Sequence, residues 1–265
     1  GSEEVASQQP ATKFSKFLYN KIKAYDYHAL IIGVDDYKHE SVVDLDNPIS
    51  DGEKLQKVLT ERYRFSPDNI TTLENPTRTE IIESFDNLSG EMTDQDNLVI
   101  FYAGHGIWDE NLQQGYWLPS DAKADSKAAW LSNSTIRDYI TGIRSKHTLL
   151  IADACFSGGI FKTRDVFVGE TLGFANIFKL PSRKAITSGN LTPVQDISVF
   201  MKYFIKTLEE NENPLLAAEE LFSSVKIPVA NNNMSGQVPQ YGDILNAGDE
   251  GGDFVFILEQ GDEDM

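Results

Sequence analysis

The chain has 265 residues with 23 Lys+Arg against 41 Asp+Glu, a formal charge of −18, which excludes nucleic-acid binding through a broad basic surface, since that rests on many Lys/Arg–phosphate contacts. Hydrophobic residues at 40% and charged residues at 24% suit a large packed core and exclude disorder throughout. The single cysteine, Cys155, excludes an intramolecular disulfide and any zinc site built on several cysteines.

Residues 1–24 read as a tag remnant (Gly1-Ser2) followed by a polar leader, residues 25–260 as one domain, and residues 261–265 as an acidic tail. His28-Ala-Leu-Ile-Ile-Gly-Val34 is a short apolar run ending at Asp35-Asp36, the pattern of a strand buried on both faces. Leu55, Val58 and Leu59 then mark a helix, with Pro48 near its first turn, where a missing N–H costs nothing. A strand at Ile70–Leu73 leads to a helix capped by Thr77, with Ile81, Phe85 and Leu88 on one stripe. Asn97–Tyr102 is a third strand, broken by Gly104-His105-Gly106, and an irregular stretch follows. Ile136, Tyr139, Ile140 and Ile143 mark a helix begun by Ser132 or Ser134, and the strand His147–Ala152 runs into Asp153-Ala-Cys155. A connection of about thirty residues precedes the strand Lys184–Ser188; one this long inside a domain is usually functional or mobile. Helices around Phe200–Leu208 and Ala218–Val225 and a strand at Phe254–Leu258 close the pattern. Strands alternating with helices imply βαβ crossovers and a mostly parallel sheet covered on both faces.

From Ile227 to Met265 there is no Lys or Arg but there are eight acids, −8 of the −18, expected to form a solvated acidic stretch. No apolar run approaches the roughly 20 residues a membrane helix needs, and no signal-peptide pattern opens the chain. The expectation is a soluble, cytoplasmic protein.

In open α/β sheets, ligands sit beyond the carboxyl ends of the strands. The first strand leads to Asp35 and, in the next loop, Asp51; the third delivers His105 and the fourth Asp153 and Cys155. A free cysteine is by default a small buried hydrophobe. Cys155, however, follows a buried strand, precedes Phe156-Ser-Gly-Gly159 and lies 50 residues after the glycine-flanked His105. Cys and His on neighbouring strand ends form a thiolate nucleophile with a proton donor for the leaving group. His28 and His147 begin strands at the opposite rim and His39 lies in a polar loop, so these three read as structural or surface residues. Phe161, not Arg, stands six residues after Cys155, and neither phosphate-binding glycine motif is present, which removes phosphatase and nucleotide chemistry.

The segments IIGVDDY (31–37), LDNPISD (45–51), FYAGHG (101–106), GYWLPSD (115–121), DACFSGG (153–159), ITSG (186–189) and QVPQYGD (237–243) resemble those of the caspase-like cysteine peptidases, most closely bacterial caspase homologues and metacaspases (orthocaspases). The spacing of His105 and Cys155 agrees with the caspase pattern. The resemblance implies a caspase-like three-layer α/β/α sandwich with a mostly parallel central sheet. It also implies a Cys155 thiolate that attacks the scissile carbonyl, with His105 protonating the leaving amine and then activating water. The backbone N–H groups of Gly106 and Cys155 would hold the oxyanion, and Ser188 would lie beside the substrate backbone, where a peptide could add as a strand.

True caspases, which cut after Asp, carry Gln where Asp153 stands; with Asp51, Asp153 would form an acidic pocket that pairs with Arg or Lys at P1 and repels Asp. Asp51 has a second reading, an acid favoured by the dipole near a helix N-terminus. No cofactor is expected. Calcium dependence through the metacaspase aspartate cluster is doubtful, because Lys162 replaces one acid and only Asp121 resembles a survivor. Lys162, Arg164, Lys179 and Arg183 are candidate processing positions, for the enzyme itself or an upstream activating protease. Expected partners are protein substrates with a basic P1, and neither nucleic acid nor membrane. The alternative is a catalytically silent caspase-like scaffold.

Overall fold

The structure, a computed structural model, describes residues 22–154, 160–161, 174–189, 198–232 and 238–259. Asp26–Gly33 forms strand β1, Pro48–Arg62 helix α1, Ile70–Glu74 β2, Arg78–Glu91 α2 and Asp96–Ala103 β3. Gly106–Asp109, Gln114–Trp117 and Leu131–Ser132 form β4, β5 and β6, followed by α3 (Asn133–Gly142) and β7 (His147–Asp153). The chain then builds α4 (Phe174–Lys179), β8 (Ser182–Thr187), α5 (Val199–Glu210), β9 (Leu215–Ala217), α6 (Ala218–Asn232), β10 (Gln240–Asp243) and β11 (Val255–Ile257).

The main sheet runs β10-β8-β7-β3-β1-β2. All its pairs are parallel except β10 with β8. Residues alternate between faces along each strand, as the pleat requires. Ala29, Ile31, Val99, Phe101, Leu149, Ile151 and Ile186 face α1, α5 and α6, while Leu30, Ile32, Leu98, Ile100, Tyr102, Leu150 and Ala185 face α2 and α3. The near-continuous apolar runs follow from this burial on both faces, and the architecture is the expected three-layer α/β/α sandwich.

Local signals hold at the helix ends. Pro48 opens α1, Thr77 caps α2 in a reciprocal box with Glu80, and Ser132 rather than Ser134 caps α3. Such caps satisfy N–H groups that the first turn leaves without partners.

Four expectations change. The stretch between His105 and α3 is not irregular: β4, β5 and β6 make a three-stranded antiparallel sheet, stiffened by Tyr102 stacked on Trp117 at 4.2 Å. The strand Val255–Ile257 leaves the main sheet and pairs with β9, so the sheet's edge on that side is β10, within the segment read as solvated. Among its described acids, Asp243, Asp249 and Asp253 are structural. Lys184 and Asp243 are cross-strand partners joined by a 2.5 Å ion pair, with Asp249 on the same ammonium at 3.2 Å. Ile22, assigned to the leader, is fully buried in the core. Among the described residues no helix is long and apolar enough to cross a membrane.

Candidate active site

Parallel pairing aligns the carboxyl ends of β1, β3 and β7, because Gly33 pairs with Ala103 and Ala103 with Asp153. His105 and Cys155 therefore each follow a paired residue by two positions on neighbouring strands. Cys155 itself, with Lys162 and Arg164, lies outside the described residues.

His105 is held by its backbone and by its ring. Its N–H donates to the Tyr37 hydroxyl at 2.9 Å, and its carbonyl accepts from the Tyr102 hydroxyl at 2.7 Å. A Cβ on Gly104 would stand 2.9 Å from the Tyr102 oxygen and 3.2 Å from that of Tyr37, so only glycine lets these hydroxyls reach the histidine backbone. Burial pushes the Tyr37 hydroxyl far above its usual range and keeps it a neutral partner. His105 Nε2 lies 2.7 Å from the Val43 carbonyl. A carbonyl only accepts, so Nε2 carries the proton and Nδ1 is the nitrogen left for exchange. Sequence reasoning missed Tyr37, Tyr102 and Val43, although both tyrosines lie within the segments that carry the resemblance.

Val43 sits on a loop that is itself pinned. Asn75 Oδ1 accepts from the N–H groups of Asp35 and Asp36, and its amide donates to the Asp35 carboxylate at 2.9 Å. Asp44 accepts from the Tyr37 N–H at 2.8 Å. Asp35 thus anchors a loop that supports the histidine.

The two expected pocket acids come together. Asp51, in the first turn of α1 and 8% exposed, and Asp153, at the end of β7 and 5% exposed, are close enough to act on each other electrostatically. Burial pushes the Asp153 carboxyl up to about 6, with Asp51 acting in the same direction and the Ser198 and Ser188 hydroxyls acting against it. Among the described residues Asp153 Oδ1 accepts no hydrogen bond of ordinary geometry, and the buried Ser188 hydroxyl acts on the carboxyl without making such a bond to it. An unpartnered carboxylate oxygen at a strand end can accept from a ligand group. Asp51 already holds a cation, the Lys54 ammonium one turn on at 2.9 Å. A group binding there must displace a lysine whose side chain is 54% exposed.

Other positions fall elsewhere. Arg183 is unsuited to processing: it lies within β8, 7% exposed, and its guanidinium donates to the carbonyls of Ser145, Lys146 and Ser182. A residue inside a paired, buried strand cannot take the extended, accessible form that cleavage needs. Lys179 is exposed at the end of α4. Both edges of β8 are occupied, by β7 and β10, and Ser188, the expected place for a substrate strand, lies just past its end. Just beyond, at Gly189 with φ +134°, a Cβ would stand 2.8 Å from the Val238 nitrogen. Asp121 accepts from the Arg78 N–H at 2.9 Å, in the first turn of α2. His147 is buried between Ser182 and the Phe178 carbonyl, and burial lowers its ring to about 3, a structural role as expected. His28 meets Asp96 at the far rim.

A family model described as "Caspase domain" matches residues 26–246. Metacaspase-8 of Arabidopsis thaliana is 26% identical over 157 residues, covering 54% of this chain and 40% of that protein. Metacaspase-4 of the same plant is 25% identical over 142 residues, covering 46% and 32%. The chain thus spans well under half the length of these curated relatives. The crystal structure of caspase-1 from Spodoptera frugiperda superimposes with a TM-score of 0.58 at 14% identity, over 83% of this chain and 87% of that one. A Geobacter sulfurreducens protein superimposes at 0.57 with 15% identity, over 82% and 92%.

Proposed function

The chain belongs to the caspase domain family, and from that premise we propose that it is a cysteine endopeptidase cutting after Arg or Lys. One observation carries the specificity: two aspartates buried together beside the end of β7, with Asp153 Oδ1 lacking a partner among the described residues. A guanidinium or ammonium at P1 would supply that partner and relieve the repulsion between the carboxylates. An Asp at P1 would add a third negative charge to a site shielded from water.

In this reading the Cys155 thiolate attacks the scissile carbonyl and His105 Nδ1 gives its proton to the departing amine. The Val43 carbonyl holds Nε2–H and stabilises the imidazolium that forms before proton delivery, fixing the ring while a proton moves at the other nitrogen. The acyl-enzyme is then hydrolysed by water that Nδ1 deprotonates. Gly106 is suited to the oxyanion. Leu118 N–H donates to the His105 carbonyl at 3.1 Å, which makes Gly106–Trp117 the next, non-hydrogen-bonded pair of the ladder and turns the Gly106 N–H away from β5. The second donor would be the Cys155 N–H, and Ser188 would line the substrate backbone. Activation would come from cleavage after Cys155 at Lys162, Arg164 or Lys179.

The test compares peptides with Arg, Lys or Asp at P1 on the purified chain and on Cys155→Ala, with calcium or a chelator. Turnover of Arg and Lys peptides that falls about 10³-fold or more in Cys155→Ala is expected. Turnover that survives Cys155→Ala removes the nucleophile, preference for Asp removes the acidic pocket, and no turnover by intact or nicked chain leaves the silent scaffold. Full activity of an uncut chain with no gain on nicking removes activation by cleavage.

A further inference from the structure

We infer that the outer edge of β4 is where the part of a polypeptide substrate on the leaving-amine side of the scissile bond docks, by adding as a short strand. The inference rests on the peptidase reading and extends it to a region that neither the pocket nor the dyad uses. β4 ends the three-stranded sheet β4-β5-β6, so only one of its edges is paired. The register sets Gly106 opposite Trp117, Ile107 opposite Tyr116, and Trp108 opposite Gly115. Because His105 and Leu118 are hydrogen-bonded, alternation directs the Ile107 backbone toward β5 and the backbone groups of Gly106 and Trp108 outward; with the Gly106 N–H given to the oxyanion, the Gly106 carbonyl and both Trp108 groups are left for a substrate strand. Among the described residues these outward groups meet no backbone partner.

Exposed edges are normally blunted by Lys, Pro, bulges or covering segments, because free N–H and C=O groups recruit other strands. β4 has the sequence Gly-Ile-Trp-Asp, with neither Lys nor Pro. Its one charge is engaged: the Asp109 carboxylate is paired with Lys127 and accepts from the Asn111 and Leu112 N–H groups. Among the described residues the edge is therefore left open.

Polarity selects the occupant. P1 would enter the Asp51–Asp153 pocket, so the acyl half of the substrate lies on the β7 side. The leaving amine must pass His105, which delivers its proton, and β4 starts one residue beyond His105 and runs away from it. The alternative edge, β8, is already covered on both sides.

The experiment uses peptides with Arg at P1 and one fixed acyl half, ending at a P1′ amide or extended to P2′, P3′ or P4′ with uncharged residues. Two edge hydrogen bonds should raise kcat/KM about tenfold between P1′ and P3′. N-methylation of alternate amides should remove the gain at one of P2′ and P3′ and spare it at the other. In Trp108→Pro, which loses an outward N–H and no rung to β5, the extended-to-short ratio should fall to about one; Trp108→Val should keep it. The peptide series on the unaltered chain stands if Trp108→Pro does not fold. Equal kcat/KM for short and extended peptides overturns the inference, as does a gain indifferent to the position of the methyl group. A concentration-dependent dimer abolished by Trp108→Pro, without an effect of extension, assigns the edge to a second copy and also overturns it. If no peptide is cut, the peptidase reading fails by itself. Binding of the same peptides to Cys155→Ala then reads the edge directly: about tenfold tighter binding of the extended peptide supports it, and equal affinity overturns it.

Discussion

Asp153, at the end of β7, and Asp253, beneath the first turn of α6, share one physical property: burial pushes each carboxyl up to about 6. Their surroundings differ. Asp253 accepts from the Tyr241 hydroxyl at 2.6 Å, the Phe254 N–H at 2.8 Å and the Glu219 N–H at 3.0 Å, and Lys184 offsets its charge. Lys184 is in turn shared by Asp243 and Asp249, and these carboxylates outweigh the lowering effect of burial to hold its ammonium above the usual range. Asp153 has another carboxylate as its electrostatic neighbour and, among the described residues, one oxygen without a partner. The C-terminal cluster is complete within the chain and ties β10 and α6 to β8. At the rim, the described residues supply no partner to Asp153 Oδ1. Equal burial thus goes with different hydrogen-bond surroundings at the two aspartates.

Removing the cation from the complete cluster tests its structural role most strongly. Lys184→Met leaves several carboxylates facing each other with little water, and should cost about 3 kcal/mol or more, a fall in Tm on the order of 10 °C. The sign with pH follows from Asp253: its raised folded value means the fold favours the neutral acid, so the loss should be largest above about pH 6 and shrink below it. Thermal denaturation across pH 5–8 reads this, and an unchanged Tm at pH 7 would make the cluster a surface feature after all.

At the rim, the corresponding change should spare the fold and impair binding. Asp153→Asn should lower kcat/KM for Arg peptides about 100-fold while leaving Tm at pH 7 unchanged or raised, since it removes a buried like-charge repulsion. In the unaltered chain, the preference for Arg over an uncharged P1 should weaken as pH falls through about 6, because the neutral form of Asp153 gains there and the guanidinium loses its partner. That pH dependence should vanish in Asp153→Asn. A large Tm loss in this variant would place Asp153 with the structural acids.

The smallest effect sharpens the contrast between the two lysines. Lys54 on Asp51 is more than half exposed, unlike Lys184, and such pairs contribute about 0.2–1 kcal/mol. Lys54→Met should lower KM for Arg peptides two- to threefold with little change in kcat or Tm, as a competing cation is removed. A raised KM would mean that Lys54 helps to seat the substrate.

Much of the sheet was legible because its strands are buried on both faces and appear as uninterrupted apolar runs. The antiparallel sheet at Gly106–Ser132 was hidden because its strands are short and half exposed, without a full period of alternation. The C-terminal acids were misread for a related reason. A run without Lys or Arg reads as solvated when its cation, Lys184, lies 59 residues before Asp243. The places of His105, Asp51 and Asp153 near strand ends were legible, whereas Arg183 as a cleavage position does not fit, because sequence does not show that a paired, buried strand contains it.

By itself, the sequence determined the layered fold, the family and the order in which a histidine, a cysteine and two acids follow the strands, because periodicity, capping and strand-end position are local properties. Only the tertiary structure decided which partners the buried aspartates have among the described residues, that two tyrosines and the Val43 carbonyl hold His105, and that the outer edge of β4 is left unpaired among them. Hydrogen bonds and ion pairs of this kind join residues tens to hundreds of positions apart, and their partners are set by how the layers pack.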